Sequence, residues 1–181
     1  MRTSELEIRP KSEADILRLA NSIIKDQVAW IQKNVPYVDK KFDVEFTHSF
    51  QEGRTTSYGG IKSGGQPYIS MDLSKYPALA RLSYVEYSRI VADRDIGSLM
   101  FVRWEKHLAA YLAHEIAHAY QLFIVFHVSK GKSMKQLEKL YNDTRKWSSK
   151  PGISVEEAFR SHGYLWQYLY RQLRKNMVNN W

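Results

Sequence analysis

His114-Glu115-Ile116-Ala117-His118 has the form H-E-x-x-H. On a helix, residues four apart share a face, with Cβ atoms about 5–6 Å apart. Two imidazoles so placed can each offer a ring nitrogen to one Zn²⁺ at roughly 2.0–2.1 Å. Glu115, one residue on from the first histidine, can reach a water at such a metal without ligating it. Two ligands, an open coordination position and a carboxylate to take a proton are what a zinc hydrolase needs.

Catalytic zinc usually takes three protein ligands, so the pair is incomplete. The chain has no cysteine. The third ligand must therefore be His, Asp or Glu, and thiol nucleophiles and disulfides are excluded. Downstream the candidates are His162, Glu156 and Glu157. Glu157 has a plain structural use, closing a capping box with Ser154, and Glu156 would be a first-turn carboxylate favourable with the helix dipole. The chemistry favours His162, whose neighbour Gly163 allows a close approach or a sharp turn. His107 falls seven residues before His114 and reads as a rim residue. Tyr120, Tyr164 and His107 are candidate donors to an oxyanion, and the sequence does not choose among them.

These residues need a frame. The motif lies in a run that reads as helix from about residue 102 to 126. Along it Leu108, Tyr111, Leu112, Glu115, His118, Ala119 and Leu122 line one broad face, which would turn the ligands toward the interior. An earlier helix is predicted over 12–33, with Ser12 as N-cap, Asp15 as a weak capping-box partner and an apolar stripe through Ile16, Ala20, Ile23 and Ile24. It is expected to cover a sheet and to end at Pro36. Period-2 alternation marks strands over 41–50 and 67–73, and 55–61 is a third candidate. Gly53 and Ser63-Gly64-Gly65 supply turns, so a small antiparallel meander is expected, with an edge along which a substrate strand could pair. Residues 84–91 read as a short helix and 93–97 as a loop. After Pro151-Gly152, apolar residues from Phe159 to Met177 read as C-terminal helices.

In composition this is a folded domain: 181 residues, 44% hydrophobic, with 12 Tyr, 7 Phe and 5 Trp. One domain over 1–181 is expected. Residues 108–128 are apolar enough to suggest a membrane span, but His114, Glu115 and His118 would be costly there. With no apolar core to the N-terminal residues, a cytoplasmic protein with no membrane partner is expected. The net charge of +8 suits acidic partners, nucleic acid first among them, and equally a soluble basic protein with dispersed lysines. Residues 129–150 concentrate it, with seven basic residues against two acidic. Lys130, Lys132, Lys135, Lys139, Arg145 and Lys146 are the candidate nucleic-acid contacts, with Tyr141 and Trp147 available for stacking.

Taken together, His114-Glu115-Ile116-Ala117-His118-Ala119 and His162-Gly163-Tyr164-Leu165-Trp166 resemble the SprT-like metallopeptidases, which include the Spartan-type proteases of DNA–protein crosslinks. The segments from Gly53 to Gly60 and Tyr68 to Leu73 are similar in style to the strands before that family's active-site helix. The resemblance covers roughly residues 41–176. It implies an α+β, zincin-like fold with an N-terminal helix, a small three-stranded antiparallel sheet, a long active-site helix and C-terminal helices. It also implies one Zn²⁺ on His114, His118 and His162, Glu115 as general base, and a protein substrate; contact with DNA through the basic surface is expected from the charge alone. Two features depart from the family's pattern: the 44-residue interval from His118 to His162, occupied by the basic insertion, and an expanded stretch over 74–98. Two other functions stay open at this point. One is a nucleic-acid-binding protein with a structural or non-proteolytic zinc; the other is a zinc hydrolase of a different amide, such as a cell-wall peptide.

Overall fold

Apolar residues occur on every side of the motif-bearing segment, and such a helix is stable only when covered all round. The computed structural model, which describes residues 12–35, 41–86, 96–130 and 161–181, builds the molecule around that segment. In chain order the elements are α1 (Glu13–Asn34), β1 (Glu45–Ser49), β2 (Tyr58–Ile61), β3 (Pro67–Asp72), β4 (Arg81–Tyr84), β5 (Leu99–Arg103), α2 (Trp104–Lys130), α3 (Tyr164–Asn176) and a 3₁₀ turn (Val178–Asn180). Helix α2 packs against α1, β2, β3, β4, β5, α3 and the 3₁₀ turn. Leu108, Ala109, Ala110, Leu112, Ala113, Ile116, Ala117, Ala119 and Ile124 along it are completely buried. No helix among the described residues is long and apolar enough to cross a membrane.

The architecture is mixed α and β. Helix α1 begins as its sequence indicates: the Ser12 side chain accepts from the Asp15 backbone N–H, and Asp15 Oδ2 accepts from the Ser12 hydroxyl at 3.0 Å. Its buried stripe of Ile16, Ala20, Ile23, Ile24, Gln27, Val28 and Ile31 faces α2 rather than a sheet. Gln27 Nε2, fully buried, donates to the Ala109 carbonyl at 3.1 Å. The helix bond from Val35 N–H to the Ile31 carbonyl closes it, and Pro36 lies outside the described residues.

All three expected strands form, but the sheet is not an antiparallel meander. Its order is β1-β3-β2, with β1 parallel to β3 and β2 antiparallel to it. The burial of each strand explains the order. Ile69, Ser70 and Met71 of β3 are buried, whereas β1 is half exposed, so β3 takes the centre. The β2–β3 hairpin turns at Gly65, whose φ of +87° favours glycine, with Gly65 N–H donating to the Lys62 carbonyl at 2.8 Å.

Between β3 and α2 the sequence reading is corrected. Residues 81–84 alternate exposed and buried, and β4 pairs antiparallel with β5 in a second, two-stranded sheet. Tyr84 thus ends a strand instead of opening a helix, and residues 87–95 lie outside the described residues. Val102 pairs with Leu82, so α2 starts two residues later than its periodicity suggests. Also outside the described residues are Glu156, Glu157, the capping box at Ser154, and the candidate nucleic-acid contacts Lys132, Lys135, Lys139, Arg145 and Lys146, with the side chain of Lys130.

Candidate metal centre

Between residues 107 and 124 the cover on α2 has one gap. Tyr111, His114 and His118 are only partly buried and Leu122 is 39% exposed. Spaced by three and four residues, they form one stripe along the helix. The ligand face is therefore the most open face of α2, not the interior one. Tyr111 and His114 border a cavity of about 680 Å³ under β4, with Tyr76, Leu82, Tyr84 and His107. His114, Glu115, His118 and Leu122 border another of about 360 Å³ beside β2, with Tyr58 and Gly59. His114 and His162 line both, so the two cavities meet at the histidines.

His162 reaches this stripe from the residues just before α3. Its Nε2 lies 3.1 Å from His114 Nε2 and 3.1 Å from His118 Nε2. Four tetrahedral ligands at the usual Zn–N length would stand about 3.3 Å apart. Three Nε2 atoms converging at this spacing can hold a metal ion, and they form the one such cluster among the described residues. The residue that turns the chain is His162 itself, with a φ of +55°; Gly163 is extended at −73° and serves as the N-cap of α3. A left-handed histidine costs roughly 1–2 kcal/mol and persists only where its surroundings determine it. Here Gln167 Nε2 donates to the His162 carbonyl at 2.9 Å, and the ring packs edge-on against Trp166 at 4.5 Å.

Trp166, fully buried, is the post about which the three rings are arranged. It stacks on His118 at 5.2 Å and meets His114 edge-on at 4.7 Å, while its Nε1 donates to the His114 carbonyl at 3.2 Å. Burial pushes the His118 pKa down to about 2, and the neighbouring His114 and His162 push in the same direction. A ring held neutral keeps the lone pair that a cation requires.

Glu115 is 5% exposed and lines the β2 cavity. Burial raises its pKa from 4.5 to about 7; His114 and a hydrogen bond from the Gly59 backbone oppose the rise, and Glu86 adds to it. Strand β2 lies so close to α2 here that a Cβ on Gly59 would stand 1.9 Å from the Glu115 carbonyl oxygen. His107 is buried in the larger cavity, not in the cluster, and its Nδ1 shares a 2.8 Å hydrogen bond with the Tyr76 hydroxyl. Burial lowers its pKa to about 4. Tyr120 is excluded as an oxyanion donor: its buried hydroxyl donates to the Val35 carbonyl. Tyr84, whose hydroxyl lies 2.7 Å from His114 Nδ1, is a site residue that the sequence reading missed. The alternation of residues 81–84 was the one signal that could have found it. No protein-family model, curated protein or solved structure matches the chain.

Proposed function

We propose that the chain is a zinc-dependent endopeptidase, SprT-like in its ligand set, with His114, His118 and His162 holding Zn²⁺ and Glu115 acting as general base. The observation that carries this reading is the convergence of three imidazole Nε2 atoms beside a buried carboxyl with a pKa near 7. A divalent cation at the three nitrogens supplies Lewis acidity toward a peptide carbonyl and acidifies water. Glu115 takes the proton of the attacking water on its carboxylate and passes it to the leaving amine nitrogen. A carboxyl poised near the working pH suits both transfers.

The two cavities supply room on either side of the histidines, and β2, an edge strand of its sheet, borders one of them. An extended peptide pairing along such an edge would lay its backbone across the three nitrogens. A purely structural zinc has no use for a free carboxylate beside it, so Glu115 favours hydrolysis over a structural site. The charge of +8 supports DNA-associated proteins as substrates, with the basic residues recruiting the enzyme.

Metal content and casein or histone cleavage test the reading together. Wild type and Glu115→Gln should both carry zinc, wild type alone should cleave at a substantial rate, and the variant should lose about 10²–10⁴-fold. His162→Ala should bind zinc more weakly. Full zinc affinity in His162→Ala would move the third ligand elsewhere, and cleavage by Glu115→Gln at the wild-type rate would remove the base. Recruitment by DNA predicts binding that weakens steeply with added salt; no binding at low salt would eliminate it.

A further inference from the structure

Behind His114, on the side away from its Nε2, a chain of buried polar groups runs into the core. Glu86 and Arg174 are 4% and 3% exposed, and Tyr170 is fully buried. Arg174 Nη1 donates to the Tyr170 hydroxyl oxygen at 2.9 Å, and both Nη atoms reach the Gly97 carbonyl at 3.2 Å. The Tyr170 hydroxyl donates to Glu86 Oε1. The Tyr84 hydroxyl is within hydrogen-bonding reach of that of Tyr170 and lies 2.7 Å from His114 Nδ1. Glu86 Oε2 has no hydrogen-bond partner and stands 3.6 Å from the same Nδ1.

The ends of this chain fix the direction of every proton in it. A guanidinium only donates and a carboxylate only accepts. Tyr170 accepts a hydrogen bond from Arg174 and donates its own to Glu86, so toward Tyr84 it can only accept. Tyr84 must then point its proton at Tyr170, which leaves an oxygen lone pair facing His114 Nδ1. Glu86 Oε2, the other oxygen facing Nδ1, is also an acceptor. Nδ1 is met only by acceptors and therefore keeps the imidazole proton, and Nε2 is bare.

We propose that Arg174, Glu86, Tyr170 and Tyr84 form a polarised hydrogen-bond chain that locks His114 as its Nδ1–H tautomer and so presents the Nε2 lone pair to the metal. These four are positioning residues, none of which touches substrate. Ligand histidines commonly use one carboxylate or carbonyl for this purpose. Here two phenols relay it from an ion pair, so a change at Tyr170 reaches the ligand without altering what touches Nδ1. The proposal rests on the three-histidine reading for its purpose, but the tautomer itself can be read with no metal present.

The test is a two-bond ¹H–¹⁵N correlation spectrum of the metal-free, full-length protein in mildly alkaline solution, beside zinc affinity from chelator competition. In wild type, His114 should show a pyrrole-type Nδ1 and a pyridine-type Nε2. Tyr170→Phe frees the Tyr84 hydroxyl to donate to Nδ1, so a share of His114 should move to the Nε2–H form. Zinc affinity should fall about 10-fold in Tyr170→Phe and about 10–100-fold in Tyr84→Phe. A pyridine-type Nδ1 in wild type overturns the proposal even if neither variant folds. An unchanged spectrum and affinity in a folded Tyr170→Phe overturns it as well. Failure of wild type to take up zinc would defeat the peptidase reading instead, and the spectrum would still decide the tautomer.

Discussion

Replacing Gly59 by alanine tests the geometry of the site most directly. The added Cβ would lie 1.9 Å from the Glu115 carbonyl oxygen, 2.8 Å from its carbon and 3.0 Å from the Ala119 amide nitrogen. All three are backbone atoms of α2 between and beside His114 and His118, so no side chain can rotate out of the way. Strand and helix must separate by roughly an ångström or more to restore ordinary contact distances. Forcing extra atoms into a packed core costs typically about 1–3 kcal/mol, and a collision with a helix buried on its other sides belongs at the upper end. Urea denaturation should therefore show a loss of about 3 kcal/mol. Gly64→Ala is the control: nothing lies within 4 Å of that Cβ, and its stability should stay within about 0.5 kcal/mol of wild type. If the protein is the proposed peptidase, a 1 Å displacement at this contact should also cost about 10²-fold in cleavage. A Gly59→Ala protein as stable as the control would refute the contact, and with it the position of β2 against Glu115.

Two further predictions concern the frame. Burial lowers the His107 pKa from 6.5 to about 4; the Ser83 carbonyl opposes this and the Lys75 charge adds to it. Between those values the unfolded chain binds a proton that the folded one does not, so stability is full above about pH 6.5 and falls as the pH drops toward 4, by about 2 kcal/mol at pH 5. Urea melts at pH 8 and pH 5 should show a smaller loss in His107→Gln, and an equal loss would remove His107 as its source. Ser12→Ala deletes the cap of α1 and should cost about 1 kcal/mol in the same assay, whereas no change would mean that the Ser12–Asp15 pair adds nothing in solution.

What was legible in the sequence was local. The histidine pair, the α1 cap, the Gly65 turn and the three strands each announce themselves within a few residues, and all form. His162 could be chosen over Glu156 and Glu157 by chemistry, and its Nε2 does meet the other two. The pairing of the sheet was not legible, because alternation indicates which face of a strand is buried and not which neighbour lies beside it. Central β3 and parallel β1 follow from relative burial across the whole molecule. The open face of α2 was misread for a similar reason: where every side of a helix is apolar, periodicity cannot say which side the rest of the chain leaves bare. Glu86 carried no signal at all, since its partner Arg174 stands 88 positions further on and nothing near either residue marks the pair.

The burial of α2 has a consequence for how the molecule opens. An amide exchanges its proton with solvent only when its surroundings part, and the free energy of that opening rises with what must be removed. Freeing the backbone between His114 and His118 means undoing contacts with both sheets, α1 and α3 at once. These amides should therefore exchange only through unfolding of the whole described body, among the slowest in the protein. The two helix-borne histidines and Glu115 belong to the last cooperative unit to come apart, while His162 reaches them from a separate turn beside α3. A disturbance of that turn can empty one corner of the site and leave the other three residues in place.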